Sequence, residues 1–423
     1  MLRSTHLPPA LDASALRDQL HLLQRGDWNH RDGRLPLHGY FADDEVSRVA
    51  HEAYGMFATT NALAPQAFPS CRVMESEVVA MVLGLLRAGT TAAGSITSGG
   101  SESIILALKA ARDQARATRT AAHPNIVLPA SAHPAFDKGA HLLGLEVRRV
   151  PLAANHRADV GAMAAALDAD SILVVGSAPS LPFGLIDPIG KLGELALQRG
   201  VWLHVDACIG GLLAPFVEAI GRPVPPFDFR LPGVRSMSAD LHKFGYAAKG
   251  ASLVLYRDEA DHQFQFSRFS NWPKGDYETP TLAGTRSGGA IAAAWAVMRL
   301  LGQDGYCRIT ERLMALRDRY LAGFAALPAV SVLGTPELSV VTLVSRPLDI
   351  FTVADTLRER GWYMSLVAEP PGIQQTINLV HEPVVDRYLA DLRQAVDIAQ
   401  AAAALASPAS STEARPRRQV LTY

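Results

Sequence analysis

The feature that most limits the fold is an alternation of two hydrophobic periods between residues 125 and 205. Short runs at 125–129, 146–152, 171–176 and 201–205 read as strands. Between them, 133–143, 159–167 and 189–199 read as helices, the last with Ile189, Leu192 and Ala196 at helical spacing. The strand runs are nearly continuous in apolar residues, without the polar alternation of a half-solvated sheet. The order βαβαβαβ predicts an α/β fold with a mainly parallel sheet covered by helices on both faces. In such sheets ligands bind beyond the carboxyl ends of the strands. Ser177, Asp206 and the pair His242-Lys243 each follow a strand-like run.

The chain of 423 residues is long enough for one large and one small domain. Residues 1–60 read as an N-terminal arm, with helical stretches at 12–24 and 43–54. The large domain is expected at 61–304, with a helix over 72–86 and an irregular stretch at 264–289. A smaller C-terminal α/β domain follows at 305–404. It has strand-like 338–344 and 376–380 and helical 350–360 and 385–404. Residues 405–423 are rich in Ala, Ser and Pro, carry a basic cluster at 415–418, and read as a disordered tail.

Lys+Arg at 40 against Asp+Glu at 41 leaves no basic field for nucleic acid or an anionic membrane surface. The longest apolar runs, 78–86 and 290–301, fall short of the roughly 18 residues a membrane span needs. Cys71, Cys208 and Cys307 are far apart and odd in number, which gives neither a disulfide framework nor a zinc site. No metal is expected. With no signal-peptide pattern at the N-terminus, a reduced, cytoplasmic setting is expected.

The loop at 237–250 places a lysine, Lys243, between two core strands. Lysine is seldom held in an interior loop unless its amine is used. Upstream, Gly94-Ser95-Ile96-Thr97-Ser98-Gly99-Gly100-Ser101 leads into helical spacing at Ile104, Leu108, Ala111 and Ala115. A helix start with free N–H groups and a hydroxyl suits an anion, although an ordinary N-cap would look the same. Pyridoxal phosphate (PLP) would make four demands on such a chain. It needs a lysine for its aldehyde (Lys243) and a carboxylate for its ring nitrogen (Asp206). It also needs N–H donors for its phosphate (Gly100, Ser101) and a flat group over its ring (His133). Taken singly, Asp206 could cap a helix, His133 could make local bonds and His242 could satisfy a carbonyl. Together, their order and their placement at strand ends fit one cofactor. A nucleotide-binding reading is disfavoured, because the glycines do not form G-x-G-x-x-G and no Walker lysine follows them.

The segments GSITSGGSESIILALKAARD, HPAFDKGAHLLGLEVRRVPL, HVDACIGGLLAPF, SADLHKFGYAAKGASLVLYRD and TPTLAGTRSGGAIAAAWA closely resemble the sphingosine-1-phosphate lyase family. That family belongs to the PLP enzymes that include the glutamate and aromatic amino-acid decarboxylases. The likeness runs from about Tyr54 to about His381. It implies PLP fold type I, with a seven-stranded sheet, and a homodimer whose active sites are shared. Lys243 would be the Schiff-base lysine, Asp206 the pyridinium partner and His133 the stacking group. Gly100, Ser101 and His242 would lie near the cofactor phosphate, with Ser177 close by, and the loop 284–289, including Gly288, would reach the partner's cofactor. The implied reaction is retro-aldol cleavage of a phosphorylated 2-amino-3-hydroxy substrate to an aldehyde and phosphoethanolamine. Lys243 and His133 would carry protons in it.

Departures from the family fall on substrate recognition. Where the family reads Asn-Pro-Leu-His-Pro, this chain has Asn61-Ala62-Leu63-Ala64-Pro65, so a histidine that resembles a substrate-phosphate donor is missing. The family tyrosine upstream corresponds to Phe41 or to its neighbour Tyr40. Lys249 matches a lysine associated with substrate phosphate. Tyr40, Asn61 and Lys249 are therefore the candidate substrate contacts. The alternative to a lyase is a decarboxylase acting on an unphosphorylated amino acid.

Overall fold

The computed structural model describes residues 9–118 and 121–405, so the predicted tail, apart from Leu405, lies outside the described residues. Its largest element is a seven-stranded sheet. The strands are β1 (Ala93–Thr97), β2 (Asn125–Pro129), β3 (Glu146–Val150), β4 (Ser171–Ser177), β5 (Trp202–Asp206), β6 (Val234–Ala239) and β7 (Ser252–Tyr256). They lie in the order β1-β7-β6-β5-β4-β2-β3. From β3 across to β6 the pairing is parallel, and β7 runs antiparallel to both its neighbours.

Every residue of β2, β4, β5 and β7 is buried, which is why these strands read as unbroken apolar runs. Side chains such as Val174, Leu203 and Leu253 are fully enclosed, each contributing about 2 kcal/mol of burial. β1 was not predicted, because its Gly94 and Ser95 carry little strand propensity. The close approach of β7 requires that glycine: a Cβ at Gly94 would come within 2.6 Å of the Leu255 side chain and 2.7 Å of the Val254 carbonyl.

A two-stranded hairpin, β8 (Ser267–Phe269) and β9 (Tyr277–Thr279), orders part of the stretch read as irregular. The smaller sheet is antiparallel, with β10 (Ser331–Val332), β11 (Val340–Val344), β12 (Ser365–Ala368) and β13 (Pro371–Thr376) in the order β10-β11-β13-β12. The strand expected at 376–380 is displaced. β13 ends where that segment begins, and Asn378 starts a 3-10 turn over Leu379–Val384, closed by reciprocal bonds with His381. The proline and buried amides of β13 masked it in the sequence. One helix, Gly288–Ala325, crosses the 304/305 boundary and bends at Gly302, where φ is 52°.

The arm forms the expected helices, Ala13–Gln24 and Asp44–Met56. Between them, residues 34–39 are tied to the small domain. Tyr363 N–H donates to the Arg34 carbonyl at 3.0 Å, Thr376 N–H to Pro36 at 2.9 Å, and Asn378 Nδ2 to Gly39 at 2.9 Å. This strap carries His38 and Tyr40 to the carboxyl edge of the large sheet. Among the described residues, no helix is long and apolar enough to cross a membrane.

Candidate active site

β6 returns directly into β7, so residues 240–251 form a loop over the carboxyl edge of the sheet. Asp206, the last residue of β5, pairs in register with Ser177 on one side and Ser238 on the other. The loop and that strand end meet in a cavity of about 440 Å³. Lys243, His242 and Lys249 enter it from the loop, Asp206 from β5, and Gly100 and Ser101 from the start of the helix Gly100–Thr118. His133 closes one side and Tyr40 of the arm another.

Lys243 Nζ lies 2.9 Å from Asp240 Oδ2, and the Lys243 side chain is 24% exposed against 2% for Asp240. Burial pulls the amine down, but the Asp240 charge outweighs it and holds Lys243 well above the ordinary lysine value. Asp240 is itself held below the usual carboxylate range: burial acts against ionisation, and Lys243, His242 and a Ser252 hydroxyl bond overcome it. Asp206 accepts from Cys208 N–H at 3.1 Å and from the Ser238 hydroxyl at 3.2 Å. Both bonds go to Oδ1, and the second oxygen is the one a ring N–H would use.

The chain fits PLP on two further observations. A Cβ at Gly100 would come within 2.7 Å of Cys208 Sγ and 3.0 Å of Asp240 Oδ1, so this backbone has to be bare to sit where it does. His242 Nδ1 is buried without a hydrogen-bond partner, an acceptor or donor waiting for a group the chain does not supply. His133 Nδ1 accepts from Ala135 N–H at 3.1 Å, which places the proton of the neutral ring on Nε2. Burial lowers His133, with Asp206 opposing, and burial likewise lowers His242.

Lys249 extends into the cavity over the Tyr40 ring, 5.1 Å from its centroid, with Nζ 3.5 Å from the His242 carbonyl. Burial and the nearby Lys243 charge lower its amine. Of the neighbours Tyr40 and Phe41, only Tyr40 lines the cavity; the Phe41 ring lies 4.0 Å from the Arg31 guanidinium.

Three candidate residues do not line this cavity. Ser177 is engaged through its backbone with the buried Asp187, which accepts the Ser177 N–H at 2.8 Å. Asn61 and Gly288 are pinned to each other's loops: Asn61 bridges Ser287, its amide donates to Thr285 at 3.2 Å, and Gly288 N–H donates to the Thr60 carbonyl at 3.1 Å. A Cβ at Gly288 would run into the Thr60 side chain. Arg286 fixes this assembly to β1 through Glu75 at 2.6 Å and the Ile96 carbonyl at 2.9 Å.

Asp240, Cys208 and His38 belong to the cavity and went unread in the sequence. Asp240 had one signal, an acid three residues before the lysine. His38 had none, because only the folded strap brings it there.

The pyridoxal-dependent decarboxylase conserved domain matches residues 36–343. A sphingosine-1-phosphate lyase of Arabidopsis thaliana is 42% identical over 87% of this chain and 69% of that protein. The rat sphingosine-1-phosphate lyase 1 is 40% identical over 84% of this chain, which spans 63% of that protein's length. The structure of a Burkholderia pseudomallei sphingosine-1-phosphate lyase superposes with a TM-score of 0.91 at 38% identity, covering 96% of this chain and 94% of the other. A Lactobacillus brevis glutamate decarboxylase shares the fold at a TM-score of 0.82 and 22% identity. On these likenesses the chain belongs to the pyridoxal-dependent decarboxylase family of fold type I PLP enzymes and, within it, to the sphingosine-1-phosphate lyases.

Proposed function

We propose that the protein cleaves a phosphorylated long-chain 2-amino-3-hydroxy base into an aldehyde and phosphoethanolamine. The observation that carries this reading is the second lysine. Lys243 is committed to the cofactor, and Lys249 adds a cation in the same cavity without a carboxylate partner among the described residues. A phosphomonoester supplies the missing charge. A second cavity of about 840 Å³ shares Leu37 and Leu181 with the first and is walled by apolar residues including Leu152, Phe183 and Val367. Such a space suits a hydrocarbon chain. An amino-acid decarboxylase would need a guanidinium for the substrate carboxylate, and among the described residues no arginine lines the first cavity.

Lys243 would hold the PLP aldehyde, Gly100 and Ser101 its phosphate, Asp206 its ring nitrogen and His133 its ring face. When bound, the cofactor supplies the electron sink that a carbon–carbon cleavage needs. The protein's own part is to place charge and protons. Asp206 places a carboxylate at the end of β5. Lys243, kept protonated beside Asp240, is a proton donor at Nζ, and His133 donates through Nε2. Leu37, Leu181 and Ile209 keep water from the reacting end.

We further propose a homodimer. Asn61 and Gly288 are fixed to one another yet lie outside their own chain's cavity, as expected of residues that serve a partner's site. A cytoplasmic location is proposed from the three free cysteines. Incubation with a phosphorylated sphingoid base tests the reaction. Release of a long-chain aldehyde supports it, and CO₂ from an amino acid with no aldehyde from any phosphorylated base refutes it.

A further inference from the structure

The cavity contains a histidine whose backbone position is unusual. His38 lines it from the arm, with φ at 68°, a left-handed conformation uncommon for a non-glycine residue. Gly39 N–H donates to the Leu37 carbonyl at 2.9 Å, the Gly39 carbonyl is held by Asn378, and a Cβ at Gly39 would come within 2.8 Å of His30 Cβ. The small domain therefore holds this turn against the large one, and the cost falls on His38.

Burial lowers the His38 imidazole, and the charges of Lys249 and Lys243 lower it further. His30 is lowered by burial first and then by Arg31 and Lys249. Of the carboxylates lining the cavity, Asp240 is already matched to Lys243. The cofactor phosphate has its own place at Gly100, Ser101 and His242. Lys249 is the cation left for a second anion, and an anion held there would meet, in the same cavity, the His38 imidazole, whose neutral ring can donate an N–H to it.

We infer that His38 is a specificity-determining residue that, with Lys249 and Tyr40, binds the phosphate of the substrate. It does from the chain's own arm what the histidine absent at Ala64 does in the resembled family. The inference rests on the proposed phosphorylated substrate, but the site it names can be tested without turnover.

The test uses the cofactor-loaded enzyme, whose cradle at Gly100 is filled, and two variants. His38→Asn keeps a residue tolerant of the left-handed turn, and His38→Gly removes the strain. Binding of inorganic phosphate and of phosphoethanolamine is measured by calorimetry, and KM and kcat with a phosphorylated and an unphosphorylated sphingoid base. Loss of one charge-assisted bond predicts binding weaker by about 10- to 100-fold in both variants. KM for the phosphorylated base should rise by the same factor, with kcat within about twofold and the unphosphorylated base unaffected. Unchanged phosphate affinity in both variants overturns the inference, as does an equal loss with both bases. If wild-type enzyme binds phosphate in a His38-dependent way yet releases no aldehyde, the subsite stands and the proposed reaction fails. Aldehyde release that is indifferent to His38 has the opposite meaning.

Discussion

Asp240 Oδ2 holds the Lys243 ammonium at 2.9 Å, while the hydroxyl of Ser252, on the returning strand, binds the other oxygen of the same carboxylate. Lys243 is thus anchored by an acid three residues earlier and by β7, the strand that closes the loop. Asp240 also packs against Gly100, so one buried carboxylate joins Lys243 to the start of the helix Gly100–Thr118.

Asp240→Asn should leave a partly buried ammonium without its counter-charge. Breaking such a pair from one side costs about 2 kcal/mol here, less than for a fully enclosed pair because Lys243 is partly exposed. The Lys243 amine should move down, since the largest opposition to burial would be gone. Urea unfolding of the cofactor-free protein at pH 7 reads the loss, and unchanged stability would show that the pair does not matter.

Gly100→Ala should displace either the helix start or Cys208. Overpacking of this kind costs about 1–3 kcal/mol and falls directly on the phosphate cradle. PLP should bind at least about tenfold more weakly in equilibrium dialysis, with the far-ultraviolet spectrum of the apoprotein unchanged. Wild-type affinity would place the phosphate elsewhere.

How much of this was legible depended on how local the cause was. The strands β2, β4, β5 and β7 announced themselves because both their faces are buried, and Asp206 and Lys243 because each follows such a strand. β1 was hidden by the glycine that lets β7 approach, and β13 by its proline and its buried Gln374 and Gln375. The Asn61 and Gly288 loops could be read as functional from resemblance. Their distance from their own cavity could be seen only after folding. His38 and the Asp240–Gly100 contact depend on long-range packing that no spacing rule reports.

Acid should destabilise the fold before the carboxylates titrate. Burial holds His204, His262 and His381 down at about 4, against an ordinary 6.5. The unfolded chain therefore binds these protons first. The stability they represent is present at neutral pH and is lost as pH falls from 6.5 toward 4, at about 1.4 kcal/mol per unit and per histidine. Asp187 acts in the opposite sense. Burial pushes it up to about 6 despite bonds from Ala158 and Ser177, so it gains stability as pH falls through that value. Three histidines outweigh one acid, and urea midpoints should drop between pH 7 and pH 5. His204→Gln should make the drop shallower by about two-fifths. A midpoint that rises over this range would contradict the assignment.

If Asn61 serves the partner's cavity, two inactive variants should complement each other. Co-expressed Asn61→Ala and Lys243→Ala chains would form mixed dimers with one intact site, restoring about a quarter of wild-type turnover in a random mixture. No recovery, with mixed dimers demonstrated by differential tagging, would place Asn61 in its own chain's site.

The division of labour between the two lysines of the 240–251 loop can be read by one experiment. The holoenzyme is reduced with borohydride, digested, and each lysine-bearing peptide weighed by mass spectrometry. The reduced cofactor should be found on Lys243 alone, with Lys249 unmodified and the visible absorption of the lysine-bound cofactor absent from Lys243→Ala. Cofactor mass on Lys249, or on any other lysine of the wild-type protein, would contradict the account at its centre.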